Sequence, residues 1–144
     1  YFKSKEEIFF ELLKQAIETA SWSLKMVDEM PVSPIEKVRQ TARYILRGIG
    51  DFEESAYYFL IVVHAGVMEG LDDDKKAFAN DPSATDTMVR ILREGQAAGQ
   101  VRDGDPAQMA TVFFSAITGL AMEKLMMPDL QMPDPEILVN MVKQ

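Results

Sequence analysis

The single histidine of the chain, His64, is the side chain best suited to acid–base chemistry, but the sequence offers it no catalytic partner. A histidine base acts together with a Ser or Cys nucleophile and a carboxylate, and no such set stands out here. With no Cys and one His, there is little room for a zinc site. The run Asp72-Asp73-Asp74 lacks the spaced ligands and the glycine of an EF-hand calcium loop. We therefore expect no enzyme activity, no metal and no cofactor, and interpret His64 as either a satisfied core histidine or a hydrogen-bonding group for a ligand.

Lysines at the start of the chain suggest a second kind of chemistry, the binding of an anion. Ser4 and Glu7 have the spacing of a capping box, which places Lys3 and Lys5 at the N-terminus of a helix. The helix dipole disfavours cations there, whereas free backbone N–H groups and lysines together hold phosphate. The alternative is that both lysines are simply solvated.

The elements that position these residues are all predicted to be helices. Apolar residues recur at helical spacing throughout, and no segment shows the alternation typical of a strand. Most of the helices begin at a recognisable cap, as at Ser33-Pro34 and Asp105-Pro106. The sequence therefore predicts an all-α bundle of about six helices, over residues 5–28, 34–49, 51–69, 83–98, 106–126 and 135–143.

The third predicted helix is apolar nearly all round, which is typical of a helix in the middle of a bundle. One of its faces combines an apolar wall with the polar tips of Tyr57 and His64, the usual lining of a small-molecule pocket. Ala16 and Ala20 on the first helix are small enough for a cavity to open beside them. The side chains predicted to bind an apolar or amphipathic molecule are Ala20, Leu24, Tyr57, Ile61, His64, Met68, Met88, Leu92, Phe113 and Ile117.

The fifth predicted helix carries two apolar faces, whereas the core of one subunit needs only one. A second apolar stripe of this length usually marks an interface, and we expect a homodimer. The alternative is that the sixth helix covers the second face within the same subunit. The side chains predicted for the dimer interface are Phe114, Thr118, Ala121, Leu125, Leu138 and Met141.

The composition narrows the classes of function. The chain has 144 residues, of which 47% are hydrophobic, as expected for one globular domain. Its net charge of −8 argues against nucleic-acid binding by this chain, because phosphate contacts need basic patches. We find no run of about 20 apolar residues and so expect no membrane span. The absence of Cys is consistent with a cytoplasmic protein.

Two segments resemble a known family. Residues 1–9, Tyr-Phe-Lys-Ser-Lys-Glu-Glu-Ile-Phe, are similar to the junction between the DNA-binding domain and the fourth helix of TetR-family bacterial transcription regulators. Residues 93–106, Arg-Glu-Gly-Gln-Ala-Ala-Gly-Gln-Val-Arg-Asp-Gly-Asp-Pro, resemble the turn before the penultimate helix of that family. The stretch that ends in Thr118-Gly119-Leu120-Ala121 also resembles it.

This resemblance implies that the chain is divided into two parts with different functions. Residues 1–4 would be a remnant of the DNA-binding domain, with Tyr1, Lys3 and Lys5 at DNA phosphates. Residues 5–144 would form the ligand-binding and dimerisation domain, and operator DNA would be contacted only through a helix-turn-helix that is missing from this sequence. In such a regulator, the last two helices pair across a two-fold axis.

The leading hypothesis is therefore an effector-binding and dimerisation domain of a TetR-type repressor that leaves DNA when a small molecule binds. The second hypothesis is a helical interaction module without a small-molecule ligand, which would have a filled core. A helical-bundle enzyme is disfavoured because paired Glu-x-x-His metal motifs need more than one histidine.

Overall fold

Helices form nearly all of the described structure in a computed structural model of the chain. The structure describes residues 5–52, 56–57, 60–61, 64–65, 73–74 and 82–144, apart from the side chains of Glu6 and Ala20, and contains no β-strand within them. The six described residues between positions 56 and 65 are also helical, within the predicted third helix. The predicted all-α class is confirmed. The helices with defined ends are α1 (Lys5–Asp28), α2 (Pro34–Asp51), α3 (Ser83–Ala97), α4 (Pro106–Met126) and α5 (Pro135–Asn140).

Side-chain caps set the starts of three helices. Ser33, Asp105 and Asp134 each accept a hydrogen bond from a backbone N–H two or three residues further on, at 3.4, 2.8 and 2.9 Å. Each cap is followed by a proline at the start of its helix, where the missing N–H is no loss. These local contacts explain why α2, α4 and α5 begin where the sequence predicts.

A glycine turn ends α3. Gly99 has a φ of +72°, a conformation that glycine adopts without strain. The N–H of Gln100 donates to the carbonyl of Gly95 at 2.8 Å, and the N–H of Gly99 donates to that of Gln96 at 3.1 Å. This Schellman pattern folds the chain back, so that Val101 packs directly against Gly95.

Replacing Gly95 by alanine is expected to destabilise the protein by about 1–2 kcal/mol, although alanine normally favours a helix. A Cβ atom at Gly95 would lie 2.4 Å from Cγ2 of Val101 and 3.4 Å from Cβ of Pro34, so the turn must move. Urea unfolding followed by circular dichroism measures the change. In a Val101→Ala background the penalty should shrink, because the clashing atom is gone. A gain of about 1 kcal/mol, as at an ordinary helical glycine, would contradict the close packing.

The main core lies between α2, α3, α4 and α5. α3 packs on α4 and α2, and α5 packs on α2. A second, smaller cluster forms where the first half of α1 meets the helical residues around position 61. Because Leu24 belongs to the main core and Leu13 to the second cluster, α1 runs along both. The largest fully buried side chains of the main core are Leu46, Ile49, Met88, Ile91, Leu92, Phe113 and Ile117.

Ion pairs fix the end of α1 to its neighbours. Lys37 donates to the backbone carbonyl of Asp28 at 2.6 Å and lies 3.5 Å from its carboxylate. Arg90 on α3 forms an ion pair with the same carboxylate and with Glu94. The last residue of α1 is thus bound to both α2 and α3, which makes it an anchor for that helix.

By its length and composition alone, the helix α4 is apolar enough to cross a membrane. The sequence had predicted no span, because the polar residues of α4 are spread along it and interrupt any continuous apolar run. A helix in the core of a folded domain can have the same length and composition. Here α4 buries Ala110, Phe113, Ile117 and Ala121 against its neighbours and leaves its opposite side exposed.

Candidate functional site

Half of the side chains predicted to line a ligand pocket lie together in the main core. Leu24, Met88, Leu92, Phe113 and Ile117 belong to one buried cluster, in which Leu24 is the most exposed at 6%. They come from α1, α3 and α4, so the tertiary fold brings together residues up to 93 positions apart. The five side chains are aliphatic, aromatic and thioether in character, and all of them are buried.

The other predicted pocket residues lie elsewhere. Ile61 packs in the second cluster, with Leu13 of α1. His64 is exposed, and its ring meets Phe9 edge-on with 5.8 Å between the ring centroids. It is therefore not a core histidine. Tyr57 is half exposed. Met68 and the side chain of Ala20 lie outside the described residues.

The residues predicted to contact DNA phosphates are described only in part. Lys5 is the first residue of α1 and is exposed there, as a phosphate contact requires. Tyr1 and Lys3 lie outside the described residues. The phosphate contact of all three therefore stays a prediction.

Two of the six side chains predicted for the dimer interface are buried inside the subunit, and the other four are partly exposed, so their part in a dimer stays a prediction. Ala121 and Leu138 are 0% and 3% exposed, so they are unavailable at the surface, and Phe114, Leu125 and Met141 pack against the core. Thr118 is partly exposed. Ala121 is buried because the two apolar faces predicted on this helix are adjacent halves of one wide arc, and the core covers the middle of that arc.

The opposite side of α4 is apolar as well. Val112, Met122 and Met126 are exposed there to 53%, 44% and 76%, and Ser115 and Gly119 lie between them at helical spacing. Apart from the adjoining residues and backbone of α4 itself, no atom of the described residues comes within 4 Å of where a Cβ would lie on Gly119. We call these five residues the outer face of α4. Sequence periodicity could not single it out, since both sides of the helix are apolar.

A groove of about 720 Å³ runs along the outward side of α2, beside the connection from α4 to α5. The sequence pattern did not predict it, and none of the ten predicted pocket residues lines it. The feature of the sequence that could have indicated this groove is a pair of arginines one helical turn apart on α2, Arg43 and Arg47. The described residues that line the groove are Gln40, Arg43, Tyr44, Leu46, Arg47, Gly50, Asp51, Lys124, Leu130, Gln131, Met132, Pro133 and Pro135.

Similar folds occur among solved bacterial regulators. The MbdR regulator from Azoarcus sp. CIB matches 97% of this chain with a TM-score of 0.80, at 18% identity and over 76% of its own length. SmeT, the repressor of the Stenotrophomonas maltophilia multidrug efflux pump SmeDEF, matches all of this chain with a TM-score of 0.72, at 18% identity and over 71% of its length. The TetR family transcriptional regulator PfmR from Thermus thermophilus matches 96% of it with a TM-score of 0.73, at 22% identity and over 73% of its length. This chain has the fold of TetR-family regulators.

The TetR fold confirms the resemblance predicted from the sequence at the level of architecture. No protein-family model matches the chain, and no curated protein matches it. The three matched structures are described as regulators or repressors, and none as an enzyme. This chain spans about three quarters of the length of each of them.

Proposed function

We propose that this chain is the effector-binding and dimerisation part of a cytoplasmic TetR-type transcription repressor. The observation that carries the proposal is the TetR fold itself, matched over at least 96% of the chain in all three regulators named above. One of them, SmeT, is a repressor of an efflux pump, which is consistent with a repressor's response to small molecules. The domain assigned to this function is residues 5–144.

The effector site in this proposal lies along α1, between the main core and the second cluster. Ala16 is buried on α1, between Leu13 of the second cluster and Leu24 of the main core in the sequence of that helix. In this proposal, its small side chain leaves room for a ligand beside it. The exposed His64 and Tyr57 would supply polar groups at the entrance, and an apolar or amphipathic molecule suits the rest of the lining.

The contacts of α1 suggest how occupancy would reach a DNA-binding domain. Asp28, the last residue of α1, is anchored by Lys37 and Arg90. The first half of α1 packs instead in the second cluster. A ligand beside Ala16 would therefore tilt the first half of α1 about the anchored end. Tyr1, Lys3 and Lys5 would move with it, and the DNA contacts of the attached helix-turn-helix would change. The coupling can be only as large as the ligand's preference for the tilted state.

Self-association in this proposal uses the outer face of α4, packed against the same face of a second copy. Three exposed apolar side chains on one helix would leave water on pairing, which is the usual driving force for such interfaces. Gly119 would allow the two helices to approach closely, which gives a reason for a glycine inside a helix, where it costs about 1 kcal/mol relative to alanine.

A ligand that fits the proposed site is expected to raise the melting temperature of the protein. At a concentration 100 times its Kd it adds about 2.7 kcal/mol, or roughly 5–10 °C for a domain of this size. A thermal-shift screen of apolar and amphipathic metabolites and drugs would find such a molecule. Replacing Ala16 by phenylalanine should fill the site and abolish the shift, while Ala97→Phe, at an exposed position on α3, should leave it intact.

The stability of Ala16→Phe also distinguishes the effector-binding hypothesis from the hypothesis of an interaction module without a ligand. If the volume beside Ala16 is free, Ala16→Phe leaves the stability nearly unchanged. In a filled core the added ring would cost about 1–3 kcal/mol through overpacking. A large loss of stability, together with no stabilising compound in the screen, would refute the effector site and favour the interaction module.

A further inference from the structure

The groove along α2 has the composition of a binding site that the proposed effector function does not use. It combines the exposed arginines Arg43 and Arg47 with apolar walls, and it shares no residue with the predicted effector pocket. We propose that this groove binds an organic anion that has one acidic group and an apolar body.

The cations of α2 divide into two kinds. Lys37 is paired with Asp28, and Arg39 forms ion pairs with Glu36 and with Glu136 of α5. Arg43 and Arg47, by contrast, make no hydrogen bond or ion pair with any described residue.

Arg43 and Arg47 lie one helical turn apart and both line the groove, and neither forms a hydrogen bond or ion pair with a described residue. Like charges at positions i and i+4 of a helix repel each other and destabilise it slightly. An anion bound between Arg43 and Arg47 would relieve that repulsion, and guanidinium groups hold carboxylate, sulfonate or phosphate oxygens in paired hydrogen bonds.

Firm contacts shape the wall opposite the arginines. Lys124 donates to the carbonyl oxygens of Pro128 at 2.5 Å and Leu130 at 2.9 Å, which closes the connection after α4. Gly50 lets this connection approach α2, because a Cβ there would lie 3.3 Å from Cγ of Met132. Because these contacts already order the groove, ligand binding costs little conformational entropy.

The lining indicates how a ligand would be oriented. The ring of Tyr44 and the side chains of Leu130, Met132 and Pro133 offer an apolar surface. At the end of α2, Asp51 is the carboxylate among the described lining residues and forms no ion pair with Arg47. It would repel a second acidic group at that end. The groove therefore selects for a single anionic head at the arginines, and its volume is within the usual range for small-molecule sites.

The test compares two fluorescent probes that differ by one acidic group. 1-Anilinonaphthalene-8-sulfonate carries a sulfonate, and N-phenyl-1-naphthylamine is its neutral counterpart. Fluorescence titration of the full chain with each probe should show that Arg43→Gln with Arg47→Gln weakens sulfonate binding about tenfold. The same double variant should leave binding of the neutral probe unchanged. Lysine at both positions should restore most of the sulfonate affinity, because it keeps the charge.

Two further variants complete the design. Lys25→Gln with Arg93→Gln makes the same change in net charge at exposed sites outside the groove, and should leave both probes unaffected. Met132→Ala should weaken both probes, because it removes part of the apolar wall. The proposal is overturned if the two charge-changing double variants weaken the sulfonate probe equally. It is also overturned if the arginine variant weakens the neutral probe as much as the sulfonate. Repeating the titrations in an Ala16→Phe background separates the groove from the effector site, because any probe bound beside Ala16 is then removed while the effect of the arginine variants should remain.

Discussion

Replacing Phe113 by alanine is expected to lower the free energy of unfolding by about 3–5 kcal/mol. Phe113 is 1% exposed and is the largest fully buried side chain in the described core. Its ring lies among residues of the main cluster and meets Phe114 edge-on, with 5.5 Å between the centroids. Truncation removes both the buried apolar surface and the aromatic contact, and rigid helices on all sides limit how far the cavity can collapse.

Urea unfolding of the purified variant measures this loss. A domain of this size has a free energy of unfolding of about 5–15 kcal/mol, so Phe113→Ala should remove a large part of it. Phe52→Ala is the matched control, since the same truncation is made on a side chain that is 64% exposed and should cost less than about 0.5 kcal/mol. Equal losses at the two positions would be incompatible with the core described here.

Placing a charge on the outer face of α4, by Met122→Asp, is expected to raise the dissociation constant of the proposed dimer at least about 100-fold. Met122 is exposed in the single subunit, so the aspartate is well solvated there and the fold should be retained. In a symmetric dimer, each subunit would bury one unpaired carboxylate, at a cost of several kcal/mol per charge. A loss of about 1.4 kcal/mol already corresponds to a tenfold change in dissociation constant.

Sedimentation equilibrium over a range of concentrations measures this constant. Val32→Asp introduces the same charge at an apolar residue of similar exposure in the connection between α1 and α2, and should leave the dimer intact. Gly119→Ala provides a finer probe. On a free helix surface alanine stabilises, whereas at a close helix contact it pushes the two copies apart. Dimers that persist in Met122→Asp would place the interface elsewhere.

The two sides of α4 give this helix a central place in the proposed mechanism. Its inner side contributes Phe113 and Ile117 to the core, and its outer side carries the proposed contact with a second copy. A change in the core that shifts α4 would be transmitted to the partner subunit through a single rigid element. Such coupling between sites is measurable as a difference in effector affinity between the dimer and the Met122→Asp monomer.

The sequence predicted the helices well because their ends are decided by local contacts. The Ser33, Asp105 and Asp134 caps act within three residues, and the glycine turn after α3 within six, so neighbouring residues hold most of the information. The last helix was predicted to reach residue 143 but ends at Asn140. The chain beyond it pairs instead with the turn after α3, where Arg102 donates to the carbonyl of Val142 at 2.8 Å. Such a long-range contact leaves no trace in a local pattern.

By itself, the sequence determined the all-α class, the positions of the described helices and the resemblance to TetR regulators. It also supplied five residues that the fold does gather in one core. Only the tertiary structure decided which side of α4 faces the core, because an apolar helix has no periodicity from which to choose. It alone placed Ala121 and Leu138 inside the subunit, and it alone assembled a groove from α2 and a connection about 80 residues away in the sequence. Those features depend on which helices become neighbours, and that choice is made by packing the whole chain.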